Sequence, residues 1–248
     1  MSLFNLIKLD ATPSTNDYLK IRHKTGIASD GDLVWAQHQT SGRGQRDKHW
    51  ESAFENSLTF SIYRTFDDFK SVHPFLISLM VSMAIIETLE ELGIPKLAVK
   101  WPNDILSCNQ KIGGILIENF FSKGRLNASV IGIGINLNQD DFNNIPNAAS
   151  LKQLTGKHWS LQQLLNRLLP YLHANLHETE NWSHQNMLAS YNQKLWRRNQ
   201  SSVFEASSER FRANLLGVSA HGKLILEKSD KEVTEQGRDQ IRMLYDIN

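Results

Sequence analysis

The sequence predicts an α+β fold: a mixed, mainly antiparallel sheet with packed helices, followed by a small C-terminal β-barrel. Three observations carry this. Strand patterns separated by short turn signals follow one another between residues 97 and 137, which reads as an antiparallel meander. Helical patterning occupies 74–92 and 160–176. After Trp196-Arg197-Arg198 the pattern changes to short strands with turn signals at Gly217, Gly222 and Gly237.

Element by element, Ser14-Thr15-Asn16-Asp17 supplies capping side chains ahead of Tyr18, Leu19 and Ile21, so a short helix follows an opening strand and leaves free amides at its start. Leu33 to Gln37 reads as a strand. Leu58, Phe60 and Ile62 alternate with Thr59, Ser61 and Tyr63 in a half-buried one, and a polar loop from Thr40 to Asn56 joins the two. Pro74 suits a first helical position, and Gly93 with Pro95 suits an exit. Leu97, Val99 and Trp101 alternate in the next strand. Ile105 to Ser107 and Lys111 to Phe121 flank an Asn109-Gln110 turn, and Ser122 to Arg125 leads into a strand from Leu126 to Leu137. Leucines at 161, 164, 165, 168, 169, 172 and 176 mark a core-packing helix, with Ser160 as its cap and Pro170 as a kink. The tail strands fall around 201–206, 209–219, 222–228 and 240–246, which places a boundary between a domain of residues 1–196 and one of residues 197–248.

Composition excludes several classes. The 248 residues are 40% hydrophobic and 21% charged, which rules out a fibrous or globally disordered chain. Lys plus Arg number 27 against 26 Asp plus Glu, so no global field draws the chain onto nucleic acid or an anionic membrane, and any basic site is local. The single cysteine, Cys108, excludes an internal disulfide framework and a Cys-only zinc site and fits a reducing compartment, the cytoplasm by expectation. Met1 to Asp10 has no secretory pattern, so the sequons at Asn127, Asn181 and Asn199 carry no weight. The apolar stretch Phe75 to Ile86 is far shorter than the ~20 residues of a membrane span.

Three motifs carry chemistry. Gly42-Arg43-Gly44-Gln45-Arg46-Asp47-Lys48-His49-Trp50 packs cations and glycines into one loop, where amides can approach an anion and arginines can fork onto its oxygens. A solvated surface loop is the plain alternative. Lys100-Trp101-Pro102-Asn103-Asp104 puts a carboxylate suited to magnesium just past a strand, and Lys111-Ile112-Gly113-Gly114-Ile115-Leu116-Ile117-Glu118 opens the next strand with a lysine beside two glycines. A turn aspartate and a surface lysine would look the same. Gly132-Ile133-Gly134-Ile135-Asn136 places glycines inside a strand, which marks either a bulge or the close approach of a ligand.

In this order the motifs, with Ser14-Thr15-Asn16, closely resemble the biotin–protein ligases over about the first 155 residues. The resemblance implies a class II synthetase-like ligase domain and the activity of a biotin–[acetyl-CoA-carboxylase] ligase, with ATP and magnesium. It implies a biotin site of Ser14, Thr15, Gln39, Gly42, Arg43, Lys111, Gly114 and Leu116. Arg46, Lys48, Trp50, Asn103, Lys111 and Asn136 would face the nucleotide, Asp104 would hold magnesium, and Lys111, Arg43 and Asp104 would be catalytic. The implied partner is a biotin carboxyl carrier protein, with no DNA and no membrane; a homodimer is compatible. Only thirteen residues precede Ser14, too few for a helix-turn-helix, so the form lacking an N-terminal DNA-binding domain is the expected one. Asp47 stands where a glycine is common and Gln45 where many members have arginine, and the tail matches only loosely. The alternative is a lipoate or octanoate ligase or transferase of related fold, for which Cys108 would be the one available thiol nucleophile.

Overall fold

The structure, a computed structural model, describes residues 3–45, 48–50, 54–66, 73–142, 145–177 and 184–245. Strand β1 (Asn5–Thr12) runs into helix α1 (Thr15–Lys24), which returns the chain to β2 (Asp32–Gln39), parallel to β1. Every later pairing in this sheet is antiparallel: β3 (Ser57–Thr65), β4 (Leu97–Lys100), β5 (Asp104–Ser107), β6 (Gln110–Ser122) and β7 (Arg125–Asn136) complete seven strands in the order β1-β2-β3-β7-β6-β5-β4. The meander is therefore real from β4 to β7, and β7 then closes against β3.

Both faces of the sheet are covered. On one face lie α2 (Pro74–Glu91) and, packed on it, α4 (Leu161–His177) and α5 (His184–Lys194). On the other, α1 buries Leu19 against Val34, Tyr63, Ala128 and Val130. This corrects the half-buried reading of β3: its polar residues Ser57, Thr59 and Ser61 are buried too, beneath α1 and the site described below. Pro74 opens α2 as expected, after a His73 cap whose ring nitrogen accepts from Phe75 N. Ser160 Oγ accepts from Gln163 N at the start of α4, and Pro170 sits within that helix without ending it.

Four local expectations change. The β5–β6 turn is Cys108-Asn109, both in the left-handed region at φ 50° and 64°, which suits asparagine and shifts the expected turn back by one residue. Trp101 lies beyond β4, in the turn, and donates its indole N–H to Gly222 O. Helix α3 (Leu151–Thr155) escaped notice because it is one capped turn, with Ser150 and Gln153 exchanging hydrogen bonds; α5 buries only Met187 and Tyr191 and so has little apolar pattern. The amides opening α1 are not free, since Thr15 N donates to Gln39 Oε1 and Asp17 N to Ser14 Oγ.

The tail forms a second, five-stranded antiparallel sheet in the order β11-β10-β9-β8-β12, from β8 (Ser201–Ala206), β9 (Glu209–Val218), β10 (Leu224–Glu227), β11 (Val233–Gln236) and β12 (Arg242–Met243). Among the described residues no ladder joins β11 to β12. The sequence pattern passed over β11, whose residues alternate only between exposed and half-buried. Phe204, Leu215, Leu224 and Leu226 continue the same apolar cluster as α2 and α4, so the tail sheet packs directly on the larger unit.

One ion cluster ties β3 to α4. Asp30 receives Arg64 Nη1 at 2.6 Å and Thr65 N at 2.7 Å, and faces His177 Nε2 at 3.6 Å. Burial works to raise its pKa, but the bonds from His177, Arg64 and Thr65 outweigh it and hold the carboxyl well below the usual range. A depressed carboxylate stabilises the fold above its unfolded pKa of ~3.9 and loses that contribution as pH falls through the folded value. With the Asp30 side chain 36% exposed, screening limits the effect to ~1 kcal/mol. Asp30→Asn should therefore lower the melting temperature by about 2–4 °C at pH 7, with the gap closing as pH falls below about 4. Thermal unfolding of both proteins at the two pH values checks this; an equal gap at each would contradict it.

Candidate active site

The site begins where α1 meets the sheet. Ser14 caps the helix, which holds Thr15 and Asn16 buried over β3 and β7. Thr15 Oγ1 donates to Gln39 Oε1 at 3.1 Å and lies 2.7 Å from Ser61 Oγ, which in turn donates to Asn16 Oδ1 at 2.6 Å. Asn16 Nδ2 donates to Glu118 Oε2 at 2.9 Å, so one polar chain runs from Gln39 to β6. Such a network is rigid because its members, all buried except the half-buried Glu118, are each satisfied by the next.

Next to it lies a strip rich in glycine. Gly114 on β6 stands opposite Gly134 on β7, and Leu116 opposite Gly132, in regular register with no bulge at these positions. Their space is already in use: a Cβ at Gly132 would collide with Asn16 Oδ1, and one at Gly134 would lie 2.5 Å from Trp50 Cε2. The strip is thus a flat floor on which Asn16 and the Trp50 ring rest, so the glycines are not a bulge, and the close approach they permit here is by the protein's own side chains. Trp50 is held antiparallel to Gly42: Trp50 N donates to Gly42 O at 2.9 Å, and a Cβ at Gly42 would strike Trp50 O. Trp50 Nε1 is buried with no hydrogen-bond partner among the described residues. Trp50 also lines a cleft of about 840 Å3 with Gln39, Gly42, Asn138, Asp140 and Lys152.

Beyond the floor sit the charges. Lys111 Nζ is 2.6 Å from Asp104 Oδ1 and 5.8 Å from the centre of a Trp50 ring. Lys111 is fixed by its backbone, which donates to Asn147 O and accepts from Ala149 N. Asn136 Nδ2 donates to Ala149 O, and Asn103 Nδ2 to Ile115 O, so both amides brace neighbouring segments. At the α1 end, Arg43 Nη1 lies 2.6 Å from Asp17 Oδ1 and 3.3 Å from Glu118 Oε1, while Lys20 Nζ is 3.2 Å and 2.7 Å from the same two acids. The Asp17 hydrogen bond, working against desolvation and aided by Glu118, raises the Arg43 pKa further. Lys100 is different. Burial, with Lys111, Lys48 and Arg242 nearby, pushes its ammonium down to about 8 despite the opposing pull of Asp104.

The structure thus brings Ser14, Thr15, Gln39, Gly42, Trp50, Gly114 and Leu116 to one surface and sets Lys111 with Asp104 at its edge. Arg43 sits on protein carboxylates, and Lys48 is exposed, its carbonyl accepting from Gly44 N. Arg46 and Asp47 lie outside the described residues. Sequence reasoning missed Ser61, Glu118 and Asn16 as parts of the network; Asn16 and Glu118 stood inside quoted motifs, and only their contact across the sheet reveals the role.

The floor makes its own prediction. Gly134→Ala should force the Trp50 ring off β7, at ~1–3 kcal/mol if the ring stays, and so loosen the Gly42–Trp50 pairing. Limited proteolysis after Arg43 and Lys48 should quicken in the variant, and an unchanged rate would mean that Trp50 is not held by the floor.

The profile of the Biotin/lipoate A/B protein ligase family matches residues 9–136. The "Bifunctional ligase/repressor BirA" of Salmonella typhimurium is 37% identical over 133 residues, 54% of this chain and 41% of that protein. The "Biotin--[acetyl-CoA-carboxylase] ligase" of Mycobacterium tuberculosis is 30% identical over 173 residues, 68% of this chain and 63% of its own length. The chain thus spans less than two thirds of these curated relatives. A solved structure of the biotin protein ligase of Aquifex aeolicus in complex with biotin and ATP superposes with a TM-score of 0.82 at 27% identity, covering 98% of this chain and 99% of that one. With the matched region running from within β1 through α1 to the last residue of β7, the chain belongs to the biotin/lipoate A/B protein ligase family.

Proposed function

We propose that the chain is an ATP-dependent ligase that activates biotin as biotinyl-5′-adenylate and transfers it to a lysine of a biotin carboxyl carrier protein. The observation that carries this is the Lys111–Asp104 pair at the edge of a glycine floor, with Thr15 and Gln39 at its far side. The likeness to a ligase solved with biotin and ATP supports it over the lipoate alternative. Residues 1–196 form the catalytic unit in this reading and residues 197–248 the small β-barrel unit, working in the cytoplasm and without DNA or membrane. Among the described residues no helix is long and apolar enough to cross a membrane.

The first step joins two anions, a carboxylate and the α-phosphate of ATP, so fixed cations must offset their repulsion. Ser14, Thr15 and Gln39 offer hydrogen-bonding groups to the ureido head, with Gly42 beside them, and Gly114 and Leu116 line the acyl chain. Arg43 exchanges Asp17 and Glu118 for the biotin carboxylate. Lys111 exchanges Asp104 for the carbonyl and phosphate oxygens in the transition state. Lys48, with Arg46 outside the described residues, is assigned to the phosphates, Asn103 and Asn136 to the nucleoside, and Trp50 rises from the floor to cover it and exclude water. Asp104 has a second oxygen without a partner among the described residues, and one carboxylate beside nucleotide phosphates is an ordinary magnesium donor set, so the residues fit the ion. Bound there, magnesium would neutralise phosphate charge. The acceptor lysine, with an ordinary pKa of ~10.4, must lose a proton before it attacks, and Asp104 is the proposed base.

Two variants test the reading. Lys111→Ala should lower biotin-dependent ATP–pyrophosphate exchange by about a hundredfold or more while leaving the melting temperature near that of the parent. Exchange at the parental rate would remove Lys111 from the chemistry. Cys108→Ser should leave carrier labelling unchanged, because an acyl-phosphate route needs no thiol. A folded variant that had lost transfer would favour thioester chemistry and the octanoyl-transferring alternative.

A further inference from the structure

Lys100 ends β4 opposite Asp104 in the β4–β5 hairpin, and only 8% of its surface is exposed. Three neighbouring cations of the site are neutralised in place: Lys111 by Asp104 at 2.6 Å, Arg43 by Asp17 at 2.6 Å and Lys20 by Glu118 at 2.7 Å. Among the described residues Lys100 has neither a carboxylate within ion-pair distance nor a hydrogen-bond acceptor. What it has is a ring, since its Nζ lies 4.7 Å from the centre of Tyr245, which follows β12 at the other end of the chain. The Tyr245 ring is held from behind by Trp196, 5.3 Å away at 50°, whose indole donates to Asn109 Oδ1 at 2.8 Å. The Tyr245 hydroxyl is itself buried without a partner among the described residues.

An ammonium buried without a counter-ion is unfavourable, and an aromatic face relieves only part of that. The arrangement makes sense where an anion arrives from outside, because no existing ion pair has to be broken to receive it. We propose that Lys100 is a further substrate-binding residue, a cation kept unpaired to take phosphate oxygens of the bound nucleotide, and that Tyr245 is the positioning residue that holds it there. This rests on the ligase reading above and adds to it a direct link from the tail sheet to the phosphates. Lys48, Lys111 and Arg242 add positive potential around the same point, and Asp104 is the acid that faces it.

The test is calorimetric titration of the full chain with ATP, inorganic pyrophosphate, AMP and biotin. Lys100→Met should weaken ATP roughly tenfold or more, as loss of a charge-assisted bond does, while biotin binding stays within about twofold. A matching loss for pyrophosphate assigns Lys100 to the leaving group, and one for AMP assigns it to the α-phosphate; either supports the proposal. Lys100→Arg should restore part of the affinity, which a packing role would not. Tyr245→Phe keeps the ring and should bind as the parent does, whereas Tyr245→Leu should shift nucleotide affinity in the direction of Lys100→Met. ATP, pyrophosphate and AMP affinities all within twofold of the parent in Lys100→Met would overturn the proposal. Should Lys100→Met lose biotin as well, Tyr245→Leu decides, since it leaves the lysine in place, and unchanged nucleotide affinity in it is equally fatal. A parent that binds neither ATP nor biotin would instead refute the ligase reading itself.

Discussion

The absence of side chains at Gly114, Gly132 and Gly134 is the constraint on which the rest of this structure depends. Strands β6 and β7 lie near the middle of a seven-stranded sheet, where side chains normally fill the space above the backbone. Three missing Cβ atoms on one face leave a floor, and at Gly132 and Gly134 Asn16 and Trp50 occupy it at distances that no other residue type would permit. The polar chain Gln39–Thr15–Ser61–Asn16–Glu118 then borders that floor on one side, and Lys111 with Asp104 on the other. Sheet, helix α1 and the Gly42–Trp50 pair all take their places around it.

Electrostatics complete the account. The described site cations are mostly satisfied by internal acids, so the protein tolerates a concentration of positive charge before any anion is present. Substrate anions would replace protein carboxylates as partners, which makes binding an exchange of ion pairs and keeps the net cost of desolvation small. Among the described residues Lys100 has only an aromatic partner, supplied by the tail. The tail sheet is therefore joined to the site by more than the shared apolar core.

Much of this was legible in the sequence. Period-two alternation located β3 and β4, turn signals located β5 to β7, and proline and glycine located the ends of α2; the glycines at 132 and 134 are approached closely by Asn16 and Trp50 of the protein itself. Elements that bury little were invisible: α3 is one turn, α5 hides two side chains and β11 is half-solvated. The parallel β1–β2 pair could not be read from either strand alone, since the direction of pairing is a tertiary fact. Likewise Glu118 binding Asn16, Arg43 lying on Asp17, and Tyr245 covering Lys100 each join residues far apart in the chain. Local pattern identifies which residue types are present, and only the fold determines which carboxylate meets which cation.

The central claim is that this arrangement joins biotin, through an adenylate, to a carrier lysine. Its most direct test is mass spectrometry of a carrier domain incubated with the full chain and ATP, with biotin in one reaction and lipoate in the other. The account predicts one biotinyl adduct per carrier on the acceptor lysine, dependent on ATP, and no lipoyl adduct. A lipoyl adduct with no biotinyl one, or no adduct from either acid, would contradict it.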